Sequence, residues 1–362
     1  MSRAFDPVRI GSWDLPQRFV MAPLTRNRAG AGHAPTELNA TYYAQRASAG
    51  LIITEGTAPS LVGQGYPDVP GLYTPKQVAG WARVGERVHA AGGLIVAQLM
   101  HVGRIAHPDN KDGAETVAPS AVAAPGQMVT AEGLKDHPTP RALDTAELPD
   151  VLAEYVQAAR AAVEAGLDGV EVHAANGYLL HQFLDPAVNV RQDSYGGSPE
   201  NRARFVIEVI TAVARAIGPD RVGVRLSPGH QFNGIVEDDA SDVAQTYRAV
   251  VDGIAGEGLA YLSVLAADGT DLAADLGQRF EGSMLLNDGF SDVTSLEDVE
   301  RVLERGLADA VVVGRPFLAN PDLPARWQSG EHVNEPDSAT FYGGGEEGYT
   351  DYPTMQDLRR AS

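Results

Sequence analysis

The chain has 362 residues, and its 28 Lys and Arg against 48 Asp and Glu give a formal net charge of −20 at pH 7. This acidic balance argues against nucleic-acid binding, because phosphate contacts need clustered Lys and Arg. The absence of cysteine excludes disulfides, zinc–thiolate sites, iron–sulfur clusters and a cysteine nucleophile. No run approaches the roughly eighteen apolar residues of a membrane span, and residues 1–11 lack a signal-peptide core, so we expect no membrane association and a cytoplasmic location.

Eight short apolar runs recur along the chain, each followed by a helical pattern. They are residues 18–24, 51–55, 94–99, 169–173, 221–226, 259–265, 283–287 and 308–313. Amphipathic stretches at 148–165, 201–217, 241–255 and 295–305 each end just before a glycine, the residue that commonly closes a helix. This alternation predicts an α/β fold, a (β/α)8 TIM barrel that occupies residues 1–362 as a single domain. A doubly wound open sheet is the alternative, because periodicity does not show closure.

Two segments are predicted to be loops. Residues 105–143, between the third and fourth strands, carry scattered Pro and Gly and no clean helical pattern, which is typical of a lid or a binding element. Residues 331–362 are rich in Gly and Tyr in their middle and are predicted to form a C-terminal loop and tail.

Hydrogen-bonding side chains end most of the predicted strands. In chain order they are Thr25, Glu55, Gln98, His173, Arg225, Asn287 and Arg315. The C-terminal ends of barrel strands meet at one face, which is where such barrels carry their active sites. Arg225 lies in an otherwise apolar strand and is costly to bury unless it meets an anionic or electron-rich ligand. The alternative is an outward salt bridge to a helix.

The segment after the fourth run offers two hydrogen-bond donors and a phenol, from His173, Asn176 and Tyr178. This set is suited to binding an oxyanion and donating a proton. Glu171 and His173 share one strand face, as metal ligands would, but no third ligand follows at a suitable spacing, so we predict no metal. His181 is interpreted as a buried structural histidine.

Glycine-containing turns follow the last two runs, where barrels often bind phosphate through backbone N–H groups. These turns contain Gly289 and Gly314, and Arg315 offers a charge-assisted hydrogen bond beside the second. The simpler interpretation is that both glycines only allow the chain to turn.

Five segments resemble the old yellow enzyme family, and they span residues 5–353 in order. They are 21–26 (MAPLTR), 98–104 (QLMHVGR), 173–184 (HAANGYLLHQFL), 193–198 (DSYGGS) with Asn201 and Arg202, and 343–353 (GGGEEGYTDYP). The likeness is greatest to bacterial ene-reductases of the N-ethylmaleimide reductase and pentaerythritol tetranitrate reductase kind. The resemblance implies a TIM barrel that holds FMN noncovalently at its mouth and uses NADPH or NADH as reductant.

The resemblance also assigns residues to the cofactor and to the substrate. Around FMN it places Pro23, Leu24, Thr25, Gly56, Gln98, Arg225, Gly289, Gly314 and Arg315. Thr25 would bond the flavin C4 carbonyl, Arg225 would lie near N1 and C2=O, and the last three would hold the phosphate. Around the substrate it places His173, Asn176, Tyr66, Met100 and Tyr349, and Tyr178 would be the proton donor. Met100 stands where several bacterial relatives carry Trp, which predicts a wider pocket.

The implied reaction is a ping-pong reduction of a C=C bond activated by a carbonyl, nitro or maleimide group. Hydride would pass from NAD(P)H to FMN and then to the alkene, while His173 and Asn176 bind the substrate oxygen and Tyr178 protonates carbon. The alternatives are reduction of nitrate esters or nitroaromatics at the same site, a non-redox phosphate-binding barrel enzyme, and a flavin-binding protein without turnover.

Overall fold

A computed structural model of the chain describes residues 3–266, 271–288 and 293–361. Eight parallel strands form a closed barrel whose order follows the chain, and β8 pairs with β1. The strands are Phe19–Met21 (β1), Ile52–Thr57 (β2), Ile95–Leu99 (β3), Gly169–Ala174 (β4), Val222–Leu226 (β5), Tyr261–Leu265 (β6), Ser283–Asn287 (β7) and Ala310–Val313 (β8). Closure confirms the predicted TIM barrel and removes the open-sheet alternative.

Helices cover the outside of the barrel. They are Glu37–Gln45 (α1), Pro75–Ala90 (α2), Leu148–Glu164 (α3), Leu179–Leu184 (α4), Pro199–Ile217 (α5), Ala240–Ile254 (α6), Asp271–Phe280 (α7), Leu296–Glu304 (α8), Arg315–Ala319 (α9), Leu323–Ser329 (α10) and Met355–Ala361 (α11). The four predicted helices agree with α3, α5, α6 and α8 to within two residues at each end. Within the described ranges, no helix is long and apolar enough to cross a bilayer.

Two strands end two or more residues away from the predicted C-terminal position. Strand β1 ends at Met21 rather than at residue 24, because Pro23 has no N–H to continue the ladder. Strand β2 continues to Thr57 through a bulge between Ile53 and Gly56. The bulge shifts the strand register, so Gly56 lies opposite Gln98 of β3.

A short N-terminal hairpin closes one end of the barrel. Its strands, Val8–Ile10 and Trp13–Leu15, pair antiparallel, and Ile10, Trp13 and Leu15 pack into the same apolar cluster as the barrel interior. These side chains fill the N-terminal end, so ligand chemistry is expected at the C-terminal ends of the strands.

The excursion at 105–143, predicted as loop, contains strands of its own. Gln127–Thr130 and Gly133–Asp136 form a hairpin, and Val117–Ala118 pairs with Arg141–Ala142. The hairpin is exposed along most of its length, so it lacks the continuous apolar run that marks a buried strand. Its Met128 is buried and packs in one apolar cluster with Met100 and Tyr178.

The segment predicted as C-terminal loop and tail is anchored to the first strand turn and ends in helix α11. Arg26, fully buried, donates to the carbonyls of Phe341 at 2.9 Å and Gly348 at 2.7 Å. Arg28 donates to the carbonyls of Gly345 and Glu347, both at 3.0 Å. We call these two side chains the arginine clasp. The hydrogen bonds from these two arginines hold the segment in one conformation, although its sequence pattern predicts only a loop.

Candidate active site

The turn after β4 brings the predicted oxygen-binding and proton-donating residues together. Asn176 and Gly177 both have positive φ, +55° and +79°, a conformation that is unfavourable for a non-glycine residue. The Asn176 N–H donates to Ser227 Oγ at 2.9 Å. His173 and Tyr178 meet edge to face, with ring centroids 5.1 Å apart. The turn therefore presents an imidazole, an amide and a phenol side by side.

His181, which was interpreted as a structural histidine, is buried and stabilises this turn. Its Nδ1 accepts from the Gly177 N–H at 3.0 Å, while its Nε2 lies 3.1 Å from Glu237 Oε1 and 2.8 Å from the Tyr247 hydroxyl. Burial alone raises the pKa of Glu237, but His181, the Gly229 N–H and Tyr247 together hold that pKa below its ordinary value.

His173 is a neutral hydrogen-bond donor. Burial lowers its pKa well below 6.5, and the nearby Arg225 and His181 lower it further. The Ala175 N–H donates to His173 Nδ1 at 3.2 Å, so the ring hydrogen is on Nε2. The side-chain oxygen of Asn176 is buried and has no partner among the described residues. The imidazole N–H can therefore donate to a ligand oxygen. The Asn176 amide can do so only through its NH₂ end, because its unpartnered Oδ1 is an acceptor.

Tyr178 lies in a group of polar side chains that keeps its hydroxyl protonated. Burial raises its pKa well above 10, and Tyr66, whose hydroxyl is 3.1 Å away, raises it further. Asn233 opposes this shift by a hydrogen bond to the Tyr178 hydroxyl, and its amide also donates to the Asn176 carbonyl at 2.9 Å. Asn233 was not predicted as a site residue, although the Asn-Gly pair that it forms with Gly234 is a typical turn signal.

Tyr349, predicted to flank the substrate, lies elsewhere. It is fully buried, stacks on Tyr42 with ring centroids 4.0 Å apart, and accepts a hydrogen bond from Asn39 at 3.1 Å. The tyrosine of this segment within electrostatic reach of Tyr66 and Tyr178 is the exposed Tyr342. The prediction fails here because the arginine clasp folds the segment back and turns Tyr349 into the core.

Arg225 points into the barrel rather than to an outer helix. It is 3% exposed and lies beside His173 in the β4–β5 register. Its Nη2 donates to Asn287 Oδ1 at 3.0 Å, whereas Nε and Nη1 have no partner within the described part of the chain. A buried guanidinium with unused donors indicates a missing acceptor.

The β1 and β2 ends form the opposite side of the mouth. Pro23, Leu24 and Thr25 are half-buried. The next peptide, at Arg26, donates its N–H to Glu55 at 3.1 Å. Burial raises the pKa of Glu55 to about 7, against the hydrogen bonds from Arg26 and Tyr43. Sequence reasoning did not assign Glu55, which supports the turn that carries Thr25.

Gly56 makes room for Met100. A Cβ at Gly56 would lie 2.4 Å from Met100 Cε, so the Met100 side chain would have to move if this residue were larger. Met100 is 2% exposed and packs in the apolar cluster that also contains Tyr178, with Tyr66 against its edge. The two predicted substrate residues Met100 and Tyr66 thus border Tyr178.

The predicted phosphate end is only partly described. Gly314 follows β8 and Leu24 lies 3.7 Å from the place of a Cβ on it. Beside it, a cavity of about 580 Å³ is lined by residues that include Arg315, Pro316, Asn334 and Phe341. Gly289 lies outside the described residues, so its predicted contact stays a prediction.

The polar atoms on three neighbouring barrel strands fit FMN. Among the buried polar atoms that have no partner within the described residues, Asn176 Oδ1 follows β4, Arg225 Nε and Nη1 lie on β5 and Ser263 Oγ lies on β6. Such atoms cost roughly 1–3 kcal/mol each when unsatisfied, and a ring system rich in carbonyl and imide groups satisfies several of them. In the described ranges, no three His, Asp or Glu side chains come together as metal ligands do.

Comparisons with known proteins agree with this site. Residues 3–334 match the NADH:flavin oxidoreductase / NADH oxidase family. A probable flavin mononucleotide-dependent alkene reductase of Leishmania infantum is 43% identical over 360 residues, 96% of each chain. The structure of morphinone reductase in complex with tetrahydroNAD shares 45% identity, a TM-score of 0.91 and 97% coverage of each chain. That of an old yellow enzyme homologue from Zymomonas mobilis shares 40% identity and a TM-score of 0.91, over 97% of this chain and 99% of that chain.

The barrel and its site define a flavin-dependent oxidoreductase, and the similarities extend over nearly the whole chain. The protein belongs to the NADH:flavin oxidoreductase / NADH oxidase family and is of the old yellow enzyme type. Its cofactor is FMN and its reductant is a reduced nicotinamide.

Proposed function

We propose that this protein is an ene-reductase in which His173 and Asn176 bind the substrate oxygen and Tyr178 donates the proton. One observation carries the proposal. A neutral imidazole N–H, the side-chain amide of Asn176 with its NH₂ donor and a protonated phenol share one turn, beside the buried cation Arg225. Neutral donors polarise a carbonyl without competing for the proton, so the set is suited to stabilising the oxyanion that forms when hydride adds to an enone.

The residues that would hold FMN surround this turn at the strand ends. They are Pro23, Leu24, Thr25, Gly56, Gln98, Arg225, Gly314 and Arg315, with Gly289 as a further predicted contact. FMN supplies the hydride when it is bound. The chain would supply the cation Arg225 to stabilise negative charge on the flavin. It would also supply Thr25, in a half-buried turn, to hydrogen-bond the polar edge of the flavin.

Tyr178 delivers the proton after the substrate oxygen is bound. Its raised pKa makes it a weak acid, yet an enolate is basic enough to take the proton. Tyr66, 3.1 Å away, is placed to donate to the phenolate that remains. The same oxygen-binding pair accommodates nitro and maleimide oxygens, so we include nitroalkenes and maleimides in the proposed substrate class.

Nicotinamide and alkene are proposed to use the mouth in turn, because hairpin side chains fill the opposite end of the barrel. The expected kinetics are therefore ping-pong, with each substrate inhibiting competitively at high concentration. Initial rates measured over a grid of NADPH and cyclohexenone concentrations test this proposal, and intersecting double-reciprocal lines would contradict it.

Tyr178→Phe tests the proton donor. We expect the anaerobic rate of flavin bleaching by NADPH to stay within about twofold of wild type, and reoxidation by cyclohexenone to slow by about 10²–10⁴-fold. Tyr195→Phe is the matched control, since Tyr195 donates to Glu208 on the outer surface, and we expect both rates to be unchanged.

Equal loss of both half-reactions in Tyr178→Phe would refute the assigned role. Purified protein without a flavin spectrum would favour a non-redox barrel enzyme. Bleaching by NADPH without reoxidation by any alkene or nitro compound would favour a flavin protein without turnover.

A further inference from the structure

Glu171 is a fully buried carboxylate to which the proposed chemistry gives no task. It lies on β4, two residues before His173, and is 0% exposed. Each of its oxygens accepts one hydrogen bond: Oε1 from Gln98 Nε2 at 2.7 Å and Oε2 from the Tyr261 hydroxyl at 3.0 Å. Burying an ionised carboxylate is costly unless the charge is used.

The first use of Glu171 is to orient an amide. A carboxylate accepts only, so it selects the NH₂ end of the Gln98 side chain. The oxygen Oε1 is then the end of Gln98 that is left for a ligand. Gln98 lies opposite Gly56 at the mouth of the barrel, and Glu171 thereby makes it an acceptor for a ring N–H.

The second use is electrostatic. Burial raises the pKa of Glu171 and lowers that of Arg225, and each group opposes this effect in the other. Arg225 donates to the neutral Asn287 and keeps two nitrogens without a partner among the described residues. Both oxygens of Glu171 accept a hydrogen bond, as those of a carboxylate do, and the ionised group is the buried counter-charge that offsets part of the positive potential of Arg225.

We propose that Glu171 is a positioning residue that sets the reduction potential of the bound flavin, by fixing Gln98 as an acceptor and by offsetting the charge of Arg225. The inference rests on the proposed function. Two-electron reduction leaves negative charge on a flavin unless a proton is taken up, so an uncompensated cation favours the reduced form. Glu171 keeps the potential lower than Arg225 alone would allow, which favours passing the electrons on to the alkene.

The test is the midpoint potential of the purified flavin-loaded protein, measured by anaerobic titration against reference dyes. Glu171→Gln keeps the shape and removes the charge. We expect the ratio of reduced to oxidised flavin at a given solution potential to rise at least tenfold in this variant. For a two-electron couple this corresponds to a rise of the midpoint potential by about 30 mV. By linkage, the ratio of the dissociation constants of oxidised and reduced FMN rises by the same factor.

Two variants separate charge from packing. Tyr261→Phe removes one hydrogen bond and keeps the carboxylate, so we expect the flavin ratio to change less than twofold. Glu171→Asp also keeps the charge, but its shorter side chain draws the oxygen away from Gln98, so we expect a change that is larger than in Tyr261→Phe and smaller than tenfold, even if Glu171→Gln is not recovered folded. A tenfold shift in Glu171→Asp, or equal values in Glu171→Gln and Tyr261→Phe, would overturn the role of Glu171.

Failure of this inference is distinguishable from failure of the proposed function. Wild-type protein that binds no flavin, or that reduces no alkene, contradicts the proposed function. Wild-type protein that is yellow and reduces cyclohexenone, while Glu171→Gln leaves the potential unchanged, contradicts only the role assigned to Glu171.

Discussion

Replacement of His181 by alanine tests how the substrate-binding turn is stabilised. His181 is 0% exposed, and its Nδ1 is the acceptor for the Gly177 N–H. In His181→Ala that N–H is buried without an acceptor, Glu237 loses one of its partners, and the imidazole leaves a cavity. We expect the free energy of unfolding to fall by about 3–5 kcal/mol, the range for breaking a buried polar network that involves a charge.

Thermal unfolding at a fixed scan rate measures this loss. At about 2.1 cal/mol/K of unfolding entropy per residue, a chain of this length loses about 4–7 °C of Tm for that change. His181→Gln is expected to lose less, because an amide can both accept from the Gly177 N–H and donate to Glu237. We also expect a higher KM for the alkene in His181→Ala, because Asn176 precedes the released peptide.

His89→Ala is the matched control. His89 is partly exposed and bonds Asp168 at 2.9 Å on the surface, where such a pair is worth about 1 kcal/mol or less. If His181→Ala lowers Tm no more than His89→Ala does, the turn does not depend on the buried network.

Three further outcomes are expected. Met100→Trp is expected to narrow the substrate range, because an indole fills the space over Gly56. The measurement is kcat/KM for a bulky enone divided by kcat/KM for a small one, and the same quotient in variant and wild type would contradict this. Tyr349→Phe lowers Tm through loss of the bond from Asn39, about 1 kcal/mol, while kcat/KM stays within about twofold, since Tyr349 is turned away from the mouth. The pKa of Glu237 is held below the ordinary carboxyl value of about 4.3, so the unfolded chain takes up this proton at a higher pH than the folded chain does, and the free energy of unfolding decreases as the pH is lowered. In Glu237→Gln we expect this decrease to be smaller, as measured by urea titrations at pH 3–5. An unchanged slope of the free energy of unfolding against pH would refute the assignment.

The barrel was predictable because its signals are local. Each strand is a short apolar run, and α3, α5, α6 and α8 end at glycines with positive φ, such as Gly166 and Gly218. The inward orientation of Arg225 was also predictable, because it interrupts an apolar strand and a charge buried in a barrel core is costly without a ligand.

Pairings across the barrel were not predictable. The partners of Glu171 lie 73 and 90 residues away in sequence, and no local pattern indicates them. The same holds for Asn233, which reaches Asn176 across 57 residues. Tyr342 and Tyr349 have similar sequence surroundings, and only the fold-back of the segment decides which of them reaches the mouth.

The arginine clasp has a consequence for biosynthesis. Arg26 donates to carbonyls 315 and 322 residues further along the chain, so Tyr342 can reach the mouth only after residues 341–348 have been translated. All eight strands leave the ribosome before this contact can form. The substrate side of the mouth is therefore expected to close after the barrel strands have been made, and a stalled chain that ends at residue 330 would carry the whole barrel with an incomplete entrance.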